Sequence, residues 1–217
     1  MDFAAARLNM VESQLRTTKV VDRALLDAFL AVPRERFVPV ALHESAYIDD
    51  DLPLGRGRAL MEPMVFARLL QHAMVEPEDK VLDIGCASGY GAALLARLSN
   101  EVVAVEEDTA LARQARARLA ELGVLHTRIV EGPLAKGWAA DAPYDVIVIE
   151  GGVGFVPDEI AAQLRDGGRL VTVVQPPSGM GQAVAMTRVR GVLSHRPIFD
   201  AAVVPLPGFT RAPGFVF

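Results

Sequence analysis

A carboxylate and a glycine turn carry the clearest chemistry in this chain. The segment Lys80-Val81-Leu82-Asp83-Ile84-Gly85-Cys86-Ala87-Ser88-Gly89-Tyr90-Gly91 reads as an apolar strand, a tight turn and the start of a helix. That layout brings a turn and a helix N-terminus to the carboxyl end of a parallel strand, where open α/β sheets bind nucleotide-like ligands. Downstream, the β-branched run Glu101-Val102-Val103-Ala104-Val105 ends in Glu106 and Glu107, and Glu106 falls 21 residues after Gly85. An acid at that spacing and at a strand end suits the two hydroxyls of a ribose. Asp83, Gly85, Cys86, Ala87, Ser88, Gly89, Glu106 and Glu107 are therefore the candidate cofactor-binding residues. The rival reading is an ordinary strand-to-helix turn beside a surface acid.

A dinucleotide and S-adenosylmethionine both carry an adenosine, so the turn has to separate them. Its glycines stand at 85, 89 and 91, without the G-x-G-x-x-G spacing, and Ala87 sits where a second glycine would let a pyrophosphate approach the backbone. A sulfonium ligand has no pyrophosphate and asks less of that position. S-adenosylmethionine is favoured over a nicotinamide or flavin nucleotide.

The elements that must position these residues follow from periodicity. Helical spacing covers 4–19 (Leu8, Val11, Leu15) and 22–32 (Leu25, Leu26, Phe29, Leu30), with Asp22 as N-cap and Pro33 as terminator. From there to Gly57 the chain is rich in Pro, Gly and Asp, which suits a structured loop region packed over a sheet. Pro63 fits the first turn of a further helix. Alternation then sets in: strand 80–84, helix 89–98, strand 102–106, helix 109–122, strands 127–131 and 144–150, helix 157–165, strand 168–174. This is an α/β pattern with a mostly parallel sheet and right-handed crossovers. Asp108 or Thr109 caps the helix at 109–122 and Gly123 ends it, while its arginines 113, 116 and 118 read as a solvated face. Residues 1–78 form N-terminal helices and a substrate-side loop region. Residues 79–217 form a Rossmann-like core, the whole packing as one unit.

Composition narrows the function classes. A length of 217 residues, 51% of them hydrophobic, gives one sizeable core and is too short for two large domains. With 27 acidic against 22 basic residues and no Lys/Arg run, a nucleic-acid partner is not expected. One cysteine excludes an intrachain disulfide and suits a reducing, cytoplasmic setting. No signal peptide or membrane span is read. The four histidines show no metal-ligand spacing, so no metal is expected. Neither Ser88 nor Ser178 sits in a G-x-S-x-G elbow, which disfavours a serine hydrolase. Cys86 reads as a small packing residue.

Several further motifs carry a family resemblance. Met10-Val11-Glu12-Ser13-Gln14-Leu15-Arg16, Val32-Pro33-Arg34-Glu35-Arg36-Phe37-Val38-Pro39, Ala46-Tyr47-Ile48-Asp49 and Leu52-Pro53-Leu54-Gly55 resemble the N-terminal signature of the protein-L-isoaspartate (D-aspartate) O-methyltransferases. The likeness continues through Val81–Tyr90, Glu106, Ala142-Pro143-Tyr144-Asp145, Gln163-Leu164 and Gly168-Arg169-Leu170-Val171. It implies a class I S-adenosylmethionine-dependent methyltransferase, with a mostly parallel sheet of about seven strands, helices on both faces and N-terminal helical elements. It also implies a protein or peptide substrate, a small-molecule acceptor being the alternative. Gly85, Ser88 and Gly89 would line the methionine end of the donor and Glu106 would hold its ribose.

The departures fall where that family does its chemistry. Where the family usually reads Gln-Thr-Ile-Ser, one residue and Pro, this chain has Arg58-Ala59-Leu60-Met61-Glu62-Pro63, so the thioether of Met61 replaces an active-site hydroxyl. The family's Gly-Asp-Gly near the adenine becomes Gly132-Pro133-Leu134, losing a carboxylate and an N–H. Its Thr-Ala-Ala at the end of strand 144–150 becomes Glu150-Gly151-Gly152. Glu150 would then face the transferred methyl and act as a base or repel a carboxylate acceptor, unless Arg58 or Arg56 neutralised it. Glu150, Arg58 and Met61 are the candidate catalytic positions, with Arg58 and Glu150 expected to face each other. Low activity on isoaspartyl peptides is expected. The rival function is a catalytically silent relative that binds the donor or a partner protein.

Overall fold

The computed structural model describes residues 1–176 and 179–210; Ser178 lies outside them. A seven-stranded sheet runs in the order β5-β4-β3-β6-β7-β8-β9. Its parallel part comprises β3 (Lys80–Ile84), β4 (Glu101–Glu106), β5 (Thr127–Glu131), β6 (Tyr144–Val153) and β7 (Leu164–Val174), and β8 (Gln182–Val189) and β9 (Val192–Asp200) extend it antiparallel. A separate two-stranded hairpin joins β1 (Leu52–Gly55) to β2 (Arg58–Leu60).

Helices cover both faces, as a parallel sheet requires. On one face α2 (Arg23–Ala31), α3 (Pro63–Ala73), α4 (Tyr90–Leu95) and α5 (Thr109–Glu121) bury Phe29, Phe66, Leu94 and Leu119 in the same core as Val81, Val102 and Val146. On the other, α6 (Asp158–Gln163) and the stretch 201–209 pack Ile160, Leu206 and Phe209 against Leu82, Val103 and Ile147. The alternation of Val81/Leu82 and Val102/Val103 between the two cores is the period-two geometry of the strand.

The core elements follow the sequence pattern closely and the flanks do not. Asp22 caps α2, Asp108 caps α5 through the N–H groups of Ala110 and Leu111, and Pro63 opens α3. The expected helix 4–19 is instead α1 (Phe3–Met10), followed by a π turn over Val11–Leu15 and a 3₁₀ turn over Arg16–Thr18. Hydroxyls of Ser13, Thr17 and Thr18 bond back to carbonyls four residues earlier, which bends helical backbone. Strand 144–150 runs on to Val153, and the β8–β9 hairpin, turning at Arg190 and Gly191 with φ of 49° and 79°, was not anticipated. That two-residue turn is of the kind that matches strand twist, and its outer strand is mostly exposed, with no strict alternation of polar and apolar residues to mark it.

No helix among the described residues is long and apolar enough to cross a membrane, and no cluster of three potential metal ligands occurs among them.

Candidate active site

The parallel register sets Ile84 beside Val105 on one side and Ile149 on the other, so Glu106 and Glu150 flank the turn that leaves β3. Glu106 is fully buried and richly bonded. Its carboxylate accepts from the backbone N–H groups of Ala87 at 2.8 Å, and of Glu107 and Asp108 at 3.0 Å each. It also accepts twice from Arg58 Nη1, at 2.7 and 2.9 Å, while Arg58 Nη2 donates to the carbonyl of Gly85 at 2.8 Å. The β1–β2 turn, with left-handed Gly55, Arg56 and Gly57, delivers Arg58 over the glycine turn.

This arrangement corrects the expected pairing of Arg58 with Glu150. Both residues line one small pocket, but the ion pair is made to Glu106. Arg56 pairs with Asp108 at 2.9 Å on the exposed side and neutralises neither acid in the pocket.

Glu150 also departs from the expected role. It is half-buried, and its Oε1 is turned inward, against α4: a Cβ placed on Gly91 would lie 1.7 Å from that atom. Neither Glu150 Oε1 nor either carboxylate oxygen of the fully buried Asp83 meets a hydrogen-bond donor among the described residues. Two adjacent acids without donors cannot both ionise in such a setting. Burial pushes the Asp83 carboxyl up to about 7 and Glu150 well above the usual range, with the neighbouring acid adding to the shift on Glu150. The two acids face each other, and a protonated Glu150 would be able to donate to Asp83.

The pocket is closed by a segment that sequence reasoning did not single out. Gly152 N–H donates to Val204 O and its carbonyl accepts from Leu206 N–H, so residues 204–206 lie along the end of β6. The Leu206 side chain rests on two glycines: an added Cβ would meet it at 3.2 Å from Gly85 and 2.6 Å from Gly151. Asp51 ties this segment to the N-terminal region by accepting from Val204 N–H at 3.1 Å and Glu62 N–H at 2.8 Å. With Met61, buried and aligned where the family has its serine, these residues leave about 10 Å³ of free space, the size of one water. Gly91 was visible as the third glycine of the turn; Asp51 and Leu206 carry no spacing signal.

The other predicted residues gather nearby in different ways. Ala87 takes a left-handed φ of 46°, which costs a residue with a Cβ about 1–2 kcal/mol and lets its N–H reach Glu106. Ser88 is buried with its hydroxyl unpartnered among the described residues, and Gly89 turns at φ 93°. Cys86 is buried and its thiol is pushed up by burial and by Asp83 and Glu106, which makes it an inert packing group. Glu107 contributes only its backbone, its side chain being exposed. Gly132 bonds to the Glu106 carbonyl at 3.2 Å, Pro133 is exposed, and Leu134 points into the core.

These residues fit an adenosine-bearing donor in kind. Gly85 and Gly89 bring no side chains of their own to the turn, Ser88 offers an unused buried hydroxyl, and Glu106 is an acceptor at the ribose position. In the conformation described, Arg58 holds the Glu106 oxygens that the ribose would use.

The family model for protein-L-isoaspartate (D-aspartate) O-methyltransferase matches residues 6–209. The protein-L-isoaspartate O-methyltransferase of Methylorubrum extorquens is 41% identical over 206 residues, spanning 94% of this chain and 90% of the relative. A solved protein-L-isoaspartate O-methyltransferase superposes with a TM-score of 0.82 at 25% identity, over 93% of this chain and 66% of its own. A Plasmodium falciparum protein solved with S-adenosyl-L-homocysteine shares the fold, with a TM-score of 0.79 at 17% identity over 95% of this chain and 98% of its own. The chain belongs to the protein-L-isoaspartate (D-aspartate) O-methyltransferase family.

Proposed function

We propose that this protein transfers the methyl group of S-adenosylmethionine to a carboxyl group of a protein or peptide, through an acceptor pocket rebuilt around Arg58, Met61 and Glu150. As a member of this family it is an S-adenosylmethionine-dependent methyltransferase, and full-length similarity to named enzymes favours that over a silent relative. The observation that carries the reading is Glu106, a buried carboxylate at the end of β4 directly beside the glycine turn.

Glu106 would hold the donor ribose, and Gly85, Ser88 and Gly89 would line its methionine end. When bound, the donor supplies an already activated methyl group. The work left to the chain is to align the acceptor and exclude water. A carboxylate acceptor needs no general base, so the buried proton on Glu150 is no obstacle. Because burial and Asp83 push the Glu150 carboxyl well above its usual range, its like-charge repulsion toward a carboxylate acceptor is reduced. Met61 gives that pocket an apolar wall in place of a hydroxyl, which predicts slower ester formation on isoaspartyl peptides than in relatives that keep the serine.

Calorimetry with S-adenosylmethionine and S-adenosylhomocysteine, followed by assay of base-labile methyl esters on isoaspartyl and aspartyl peptides, tests the proposal. Binding of either ligand and slow, isoaspartyl-dependent ester formation are expected. No binding at millimolar concentration would overturn it.

A further inference from the structure

We propose that Arg58 is a displaceable plug of the donor site, occupying the two Glu106 oxygens that a donor ribose must take. This rests on the proposed use of S-adenosylmethionine and adds a competitor within the chain. Both oxygens are bonded by one nitrogen, Nη1, at 2.7 and 2.9 Å, while Nη2 is committed to Gly85 O at 2.8 Å. A two-nitrogen fork onto a carboxylate would be the stronger geometry, and Arg58 does not form it. The contact is buried, so it excludes rather than decorates: the Arg58 side chain is 5% exposed and that of Glu106 0%.

The remaining surroundings make the exchange feasible. If Arg58 leaves, Glu106 keeps the N–H groups of Ala87, Glu107 and Asp108, so its charge is not stranded. Arg58 in turn has carboxyl groups within its own pocket, since Glu150 and Asp51 line the same space. Gly85 stands at the contact itself: an added Cβ would come within 3.1 Å of Nη2 and 3.2 Å of Leu206. Plug and Leu206 therefore sit together on the turn that must accept the donor.

The test is calorimetric affinity for S-adenosylhomocysteine, which needs no turnover, in the unaltered chain, Arg58→Gln and Arg58→Lys. Arg58→Gln is expected to bind at least about tenfold more tightly, since it replaces a charged competitor by a shorter, neutral polar side chain. Arg58→Lys, which can hold Glu106 but not also Gly85 O, should fall between, and it carries the test if the glutamine variant does not fold. Thermal unfolding should show Arg58→Gln less stable without ligand yet more strongly stabilised by it. Equal or weaker affinity in the variants would overturn the plug and leave the proposed function standing. Absence of binding in all three proteins would overturn both.

Discussion

Glu106, at the end of β4, and Glu150, within β6, flank β3 on opposite sides, yet the first accepts five hydrogen bonds from four groups and the second leaves an inward oxygen with no donor among the described residues. The difference lies in what the adjoining loop offers. The turn after β3 offers the N–H of Ala87, the residues after β4 offer those of Glu107 and Asp108, all three converge on the carboxylate, and Arg58 supplies a cation. Beside Glu150 the chain presents Gly91 and another acid. One residue type thereby meets a ring of donors at Glu106, while at Glu150 burial and the neighbouring Asp83 push the carboxyl well above its usual range.

The comparison is broken most severely at Glu106. Glu106→Ala would strand the buried Arg58 guanidinium and leave three N–H groups unpaired, a loss of roughly 3–5 kcal/mol. Denaturant unfolding should register that loss, and S-adenosylhomocysteine binding should vanish with it. A loss below about 1 kcal/mol would mean that the pair contributes little to the fold.

Next in size is Gly91→Ala. Its methyl would overlap Glu150 Oε1, so overpacking should cost about 1–3 kcal/mol. Glu150→Ala in the same chain should restore most of it. Equal effects in the two backgrounds would show that the inward position of Glu150 is wrong.

The smallest effect concerns the shared proton. Asp83 is raised to about 7 and Glu150 is raised as well, so the stability that Asp83 contributes is complete below its unfolded value of about 4 and is lost as pH climbs through about 7. Glu150→Gln supplies an amide donor to Asp83 without a second acid. It should flatten that decline and raise stability above pH 7 by on the order of 1 kcal/mol. Urea midpoints from pH 5 to 8 check this, and an unchanged slope would sink the proton-sharing account.

The donor half of the cleft was legible because its signals are local. A glycine turn, a strand run and a terminal acid follow one another within 22 residues of Gly85, and backbone geometry obliges them to meet. The acceptor half was not, because its contacts depend on side-chain direction and distant chain. Arg58 was identified as a neighbour of the site, but nothing in the sequence decides between Glu106 and Glu150 as its partner. Glu150 was expected at a strand end and lies three residues inside β6, and its inward turn against α4 depends on the missing Cβ of Gly91. Leu206 lies beyond the alternating pattern altogether, and β8 and β9 mix polar and apolar residues without the strict alternation that would announce them. The strands β3 and β5 were bounded correctly to the residue, each being marked by an aliphatic pair, Val81-Leu82 and Ile129-Val130, within a short segment between turn signals.

The bond from Val204 to Asp51 joins positions 153 apart, and the same carboxylate also fixes Glu62. Contacts of such separation close late in folding, after the local βαβ units have formed. The cleft roof is then a cooperative unit of its own, held to the sheet edge by a few exchangeable backbone bonds around Gly152. Amides of residues 204 and 206 should exchange with solvent faster than those of β3 and β4, so the donor site would be reached by local opening at this seam while the Rossmann-like core stays intact.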